Sequence, residues 1–320
     1  MDVSVAVWIG FYVILACLLY LDLVVLNRRA HVVSMREAAI LSVFWTLVAV
    51  AMGIFILIAY GVDAAVLYAT AEVTERALSI DNLFVFLVII SYFRVPPEYQ
   101  SRALIWGIIG VLITRAIFIG AGVAIINTFS WTLFVLGGVL IITAYKMAFR
   151  GEKEMAPNRN VAMRVASKFI RVSENFEGTN FFTRNAGYLT ATPMFMVVLV
   201  LVTTDVMFAI DSIPAVFGIT QEPFLIWTSN AMAVLGMRPM YFLLAGFIRL
   251  FRFLEYGLAG ILAFVGIKII AEHAFSEFHV ISERSDVYLA LLIIVMILTF
   301  SVIASVIFPK RNPDHVGLKN

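Results

Sequence analysis

Apolar stretches recur along the whole chain, at 3–27, 37–60, 64–93, 102–126, 130–149, 190–219, 224–248, 257–271 and 287–308. Most are long enough to cross the roughly 30 Å hydrocarbon core of a bilayer. In lipid the backbone polar groups must be satisfied inside a helix or a closed barrel, and stretches of this length without alternation are helical. The expected fold is therefore an all-α polytopic membrane protein with about nine transmembrane helices and the lipid bilayer as its surroundings. Composition agrees: 62% of the 320 residues are hydrophobic and 14% charged, against about 25% charged in an ordinary soluble domain. A formal net charge of +2 gives no basis for binding nucleic acid, and a single cysteine, Cys17, excludes a disulfide framework or a cysteine metal cluster. The first stretch reads as a retained helix rather than a cleaved signal, because Met1-Asp2 provides no positive leader.

The basic residues set the expected orientation. Of the 23 Lys and Arg, Arg76, Arg115, Lys146, Arg238 and Lys268 lie inside spans and Arg284 follows span 8; the others crowd into alternate connections, including Arg28, Arg29, Arg102, Lys153 and Lys310. The opposite connections carry Asp63, Glu222, Glu277 and Asp286. The positive-inside rule then places the N-terminus outside and the C-terminus in the cytoplasm. The chain divides into two N-terminal helices (1–60), a first unit (64–149), a cytoplasmic loop (150–189), a second unit (190–271), a last helix (287–308) and a cytoplasmic tail (309–320). The polar loop 150–189 reads as a solvated linker and is the stretch available to a cytoplasmic partner.

The two units repeat each other. Thr74-Glu75-Arg76-Ala77-Leu78-Ser79-Ile80-Asp81-Asn82 is matched by Thr204-Asp205-Val206-Met207-Phe208-Ala209-Ile210-Asp211-Ser212 at an offset of 130 residues; Arg115 and Arg238 lie 123 apart, Lys146 and Lys268 122 apart. Each unit holds three spans, an odd number, so the second must enter the membrane upside down relative to the first. Such a 3+3 inverted repeat is a transporter signature. It brings four carboxylates, Glu75, Asp81, Asp205 and Asp211, toward one mid-membrane site, although residues six apart point about 120° from each other on a straight helix. Pro214 has no N–H for the Ile210 carbonyl and is expected to open span 6 beside Asp211.

The candidate ligands are all oxygens: Glu75, Asp81, Asn82, Thr204, Asp205, Asp211, Ser212 and the Ile210 carbonyl. That set suits a hard divalent cation, Mg²⁺, Ca²⁺ or Mn²⁺. Arg115 and Arg238 read as counter-charges for the acids in the cation-free state, with Glu72 and Arg76 beside the site. Lys146 or Lys268 is the better candidate for a base that alternates with the cation, because burial can lower a lysine pKa. No prosthetic group is expected. An intramembrane aspartyl protease, using two aspartates that share a proton, is disfavoured by the symmetric acid pairs and the lack of a Gly-x-Gly-Asp context, so the chain is not expected to be an enzyme. A third class is a non-transporting membrane partner in metal supply.

The segments Glu75-Arg76-Ala77-Leu78-Ser79-Ile80-Asp81-Asn82 and Asp205-Val206-Met207-Phe208-Ala209-Ile210-Asp211-Ser212-Ile213-Pro214-Ala215, with Ser91-Tyr92-Phe93, Ala191-Thr192-Pro193, Thr228-Ser229-Asn230 and Gly266-Ile267-Lys268, resemble the TerC/Alx family of integral membrane proteins. The resemblance covers all nine spans. It implies a bacterial inner-membrane protein associated with Mn²⁺ export and, by the family's name, with tellurium resistance. One position departs from it: many members carry glutamate where this chain has Val202, whose repeat mate is Glu72.

Overall fold

The computed structural model describes residues 1–26, 31–129, 131–150, 172–173, 175–185, 188–247, 253–274 and 283–307. Most of the loop 150–189 and the whole tail 309–320 lie outside the described residues. Ten α-helices occupy most of the rest: α1 (Val5–Tyr20), α2 (Met35–Tyr60), α3 (Val62–Tyr92), α4 (Pro97–Thr128), α5 (Thr132–Arg150), α6 (Pro193–Phe217), α7 (Pro223–Leu235), α8 (Met237–Phe247), α9 (Leu254–Ala274) and α10 (Glu283–Ile307). A π-helical turn, Leu21–Leu26, continues α1. Ahead of α6 an antiparallel hairpin pairs β1 (Phe182–Asn185) with β2 (Tyr188–Ala191), in the register Phe182 opposite Ala191; an all-α reading misses it.

Local chemistry sets where the helices begin. Ser4 and Ser34 cap α1 and α2, accepting from the N–H groups of Val7 and Glu37, while α4, α6 and α7 each open on a proline, at Pro97, Pro193 and Pro223, where a missing N–H costs nothing. Six described helical stretches have the length and hydropathy to cross a membrane: Val5–Val24, Met35–Tyr60, Pro97–Ile126, Thr132–Phe149, Pro193–Ile210 and Tyr288–Ile307. The chain is thus a helical, multi-pass membrane protein. Helix α3 has 31 residues and is as long as any of them, but Asp63, Glu72, Glu75, Arg76 and Asp81 dilute its hydropathy.

Two expected features of span geometry turn out differently. Helix α6 runs through Pro214 without interruption. The proline lies three residues from the helix end, so it removes one bond from the last turns, and the Gly218 N–H closes the end on the Pro214 carbonyl at 3.0 Å. The break falls instead in the expected span 224–248, which is two helices joined at Gly236. There the Gly236 N–H takes the Ala233 carbonyl at 3.1 Å, and Pro239 sits in the first turn of α8, where its missing N–H has no intrahelical partner to lose.

Helix α3 is the hub, packed against α2, α6, α7, α8 and α10, and α4 lies against α6 and α7. Helix α7 is buried at each residue from Phe224 to Leu235, as befits a helix apolar all round. By contrast α1, α2 and α10 present Ile9, Val13, Leu47, Ile58, Leu292 and Phe300 outward, the faces that lipid covers. At one end of the bundle Phe224 receives Trp8, Phe11 and Tyr60 with ring centroids 5.1, 6.0 and 6.2 Å away. At that same end the Met1 amino group lies 2.7 Å from Glu222, whose carboxylate holds the ammonium above its usual pKa. The start of α1, the end of α2 and the α6–α7 connection therefore share one end of the bundle.

The tightest crossing is between α5 and α9. A Cβ built on Gly137 would lie 3.0 Å from the Gly266 carbonyl oxygen, and one built on Gly266 would lie 2.9 Å from that of Gly137. Only hydrogen fits at either position. Gly137→Val should lower stability by about 1–3 kcal/mol through overpacking, read as a depressed thermal midpoint in detergent, while Gly138→Ala, with nothing within 4 Å, should leave the midpoint in place.

Candidate functional site

The repeat motifs lie on α3 and α6, and α4 supplies the group that joins them. Arg115, near the middle of α4, directs a fork at Asp205 on α6: Nε donates to Oδ2 and Nη2 to Oδ1, each at 3.2 Å. Its remaining nitrogen, Nη1, is in direct contact with Oε1 of Glu75 on α3. All three side chains are 0% exposed. An uncompensated charge at this depth is expensive, and removing one member of a buried pair typically costs about 3–5 kcal/mol. Two carboxylates and one guanidinium leave the triad with a formal charge of −1. Helix periodicity makes the arrangement possible: α3 is buried along much of its length, so an acid on its inner face has no route to water and must find a partner across the bundle.

Buried polar groups follow the acids at helical spacing: Ser79 and Asn82 come four and seven residues after Glu75, and Ser212 seven after Asp205. The Asn82 amide nitrogen and the hydroxyls of Ser79 and Ser212 are buried with no hydrogen-bond partner among the described residues. Thr204, next to Asp205, is buried as well. A water could satisfy each of these groups, and the two hydroxyl oxygens could also face a cation.

Of the four expected carboxylates, the structure brings Glu75 and Asp205 together, through Arg115. Among the described residues no group of three or more His, Cys, Asp or Glu is placed to hold a metal ion. Two physical reasons account for this: the Arg115 guanidinium occupies the space between Glu75 and Asp205, and an unbroken α3 turns Asp81, which is half-buried, about 120° away from Glu75. Asp211 lies on α6, with its side chain outside the described residues. Ile210 is 55% exposed, on the outward face of α6, and the helix does not open at its carbonyl.

The remaining expected residues divide among other contacts. Glu72 is in direct contact with Arg76, whose Nε donates to Glu72 Oε1 at 2.8 Å and whose Nη1 donates to Thr46 on α2 at 2.8 Å. This pair faces α2, so Glu72 does not lend its charge to the triad. Its repeat mate Val202 fits into the notch above Gly110 of α4, in the contact a Cβ there would forbid. Lys146 is exposed on α5, whereas Lys268 donates to the Gly218 carbonyl at 3.4 Å and so neutralises the carbonyl end of α6. Arg238 was expected as a counter-charge for the central acids; it is held instead by Asp22, 2.6 Å away in the π-turn after α1, and donates to the Ser101 hydroxyl of α4 at 3.3 Å. Asp22 is the buried charge partner that sequence reasoning missed. Its signal was present: one acid inside span 1 and one arginine inside span 7 each demanded an opposite charge.

With this geometry in place the chain can be set beside known proteins. The family model described as integral membrane protein TerC family matches residues 60–313. The chain belongs to that family. An uncharacterized membrane protein of Myxococcus xanthus is 40% identical over 310 residues, covering 97% of this chain and 95% of the relative. A putative membrane-bound redox modulator, Alx, of Escherichia coli (strain K12) is 38% identical over 272 residues, covering 82% and 85%. An uncharacterized membrane protein of Rickettsia felis is 36% identical over 308 residues, covering 96% and 99%. No solved structure matches the chain. The matched stretch contains the whole triad of this TerC family member, while the Asp22 partner of Arg238 lies before it.

Arg115→Met should lower stability by about 3–5 kcal/mol, because two carboxylates are left buried without a cation. The triple variant Arg115→Met/Glu75→Gln/Asp205→Asn should recover most of that loss. Thermal unfolding of the detergent-solubilised protein reads both.

Proposed function

We propose that the protein is a secondary transporter that carries a hard divalent cation across a bacterial inner membrane, with Mn²⁺ leaving the cytoplasm as the expected cargo. The observation that carries the reading is the buried Glu75–Arg115–Asp205 triad, in which one arginine bridges acids from both halves of the chain. An incoming cation takes the two carboxylates, Arg115 swings away, and Thr204, Asn82 and Ser212 add neutral oxygens within reach of the acids' helices. Asp81 and Asp211 stand on the same two helices, along the cation's route. The transporter has no prosthetic group and carries out no covalent chemistry.

The two halves act as inverted repeats within a nine-span topology, with the N-terminus outside and the C-terminus in the cytoplasm. Reciprocal packing supports this. A two-fold axis in the membrane plane exchanges α3 with α6 and α4 with the broken α7–α8 pair, and the packing of α4 on α6 answers that of α3 on α7. The same axis maps the α5–α9 crossing onto itself, and there Gly137 and Gly266 approach each other's carbonyls at nearly equal distances. The oxygen donor set supports a hard divalent cation, and Mn²⁺ among these follows from the family resemblance. The name redox modulator belongs to the relatives that bear it. With Cys17 as its one cysteine, this chain cannot form an internal disulfide.

Purified protein in liposomes loaded with a metal-sensitive dye should give Mn²⁺ flux. Glu75→Gln and Asp205→Asn should each reduce it at least about tenfold, equivalent to about 1.4 kcal/mol of cation affinity. Folded wild-type protein that carries neither Mn²⁺, Mg²⁺ nor Ca²⁺ would overturn the reading and favour a partner-dependent role in metal supply.

A further inference from the structure

A second buried charge cluster lies away from the triad, and the proposed function makes no use of it. Asp22 and Arg238, with side chains 7% and 3% exposed, are joined at 2.6 Å, and Arg238 also reaches Ser101 at 3.3 Å. Glu37 on α2 adds a second negative charge within electrostatic reach of the guanidinium. Three elements meet in this cluster, and two of them are irregular. Asp22 lies in a π-helical turn, a geometry that interrupts regular helices mostly at functional positions. Arg238 follows directly on the break at Gly236. The break itself is flanked by a second arginine: Arg76 lies 3.8 Å from where a Gly236 Cβ would stand, anchored in turn by Glu72.

Depth places the cluster between the triad and one side of the membrane. Ser101 precedes Arg115 by fourteen residues on α4, about 21 Å along the helix, and lies toward the end that begins at Pro97. Gly236 lies against the Arg76 guanidinium, and α8 continues from there packed against α2 and α3. The second half of α3 carries Ser79, Asp81 and Asn82. Helix α8 thus lies against α3 on the side of the cluster, and besides its apolar packing on α2 and α3 its first turn is tied down by the ion pair with Asp22 and the hydrogen bond to Ser101.

We propose that Asp22, Arg238 and Ser101 form an intramembrane latch that closes α8 over the cytoplasmic approach to the Glu75–Arg115–Asp205 centre, with Gly236 as the joint. Releasing the pair lets α8 swing from the joint, loosens its packing on α3 and lets water reach the buried polar residues of α3, Ser79 among them, from the basic side only. The latch rests on the transport reading for its purpose, but its movement can be measured without any flux.

The test uses full-length protein with Cys17→Ser and a single reporter, Ser79→Cys, whose site is 1% exposed. Inside-out and right-side-out vesicles are treated with a membrane-impermeant thiol reagent. Asp22→Asn and Arg238→Gln should each raise labelling from the cytoplasmic side about tenfold, with little change from the other side. The exchange Asp22→Arg/Arg238→Asp, which restores an ion pair, should return the rate toward that of the parent and guards against a single variant that merely unfolds. Unchanged labelling in both single variants, or a rise of equal size from both sides, overturns the latch. Raised one-sided labelling in a protein that carries no metal keeps the latch and removes the transport reading; flux with indifferent labelling does the reverse.

Discussion

One guanidinium, buried at the centre of a membrane bundle and shared by two carboxylates, constrains the rest of this molecule. Desolvating three charges is tolerated only if each is satisfied at close range, so α3, α4 and α6 must meet within the reach of an arginine side chain. That requirement explains why α3 is the hub and has fourteen buried residues between Ala64 and Ile90. It also explains why the most polar long helix lies inside while the apolar α1, α2 and α10 face outward. The same rule operates a second time at Asp22 and Arg238, where a charge on an outer span is tied to one on an inner helix.

A buried pair of this kind is a poor source of stability and a good source of alternatives. Replacing such groups with hydrocarbon is often neutral or favourable, whereas a divalent cation bound by the same acids would substitute for the guanidinium at little electrostatic cost. The formal charge of −1 on the triad would favour a divalent cation in such an exchange, and the unpartnered hydroxyls of Ser79 and Ser212 are polar groups that a rigid apolar core would lack. Irregular helices lie where such an exchange would need them: the π-turn at Asp22 and the break at Gly236 are both next to paired charges.

Much of this was legible in the sequence. Hydropathy runs placed most helices to within a few residues, and the 130-residue offset singled out Glu75 and Asp205 together with Arg115 as a buried counter-charge. What escaped depended on facing rather than spacing. Periodicity says that Glu75 and Asp81 diverge, yet symmetry suggested that all the acids converge, and only the packed bundle decides which acids the arginine reaches. Pro214 was read as a break because proline disrupts a helix interior, but its cost falls steeply near a helix end; the break at Gly236 was hidden inside a continuous apolar run. Asp22 went unassigned because its partner lies 216 positions away, outside the repeat. The β1–β2 hairpin was masked by the polar character of its loop.

The central claim is that the two acids exchange Arg115 for a divalent cation. Electron paramagnetic resonance of Mn²⁺ titrated into the purified wild-type protein tests it most directly, because an ion held by protein oxygens gives a broadened spectrum distinct from that of the hexaaqua ion. The account predicts one saturable Mn²⁺ per chain that disappears in Asp205→Asn while the protein stays folded. A folded wild type that leaves all the Mn²⁺ in the hexaaqua form, or that binds it equally well without Asp205, would contradict it.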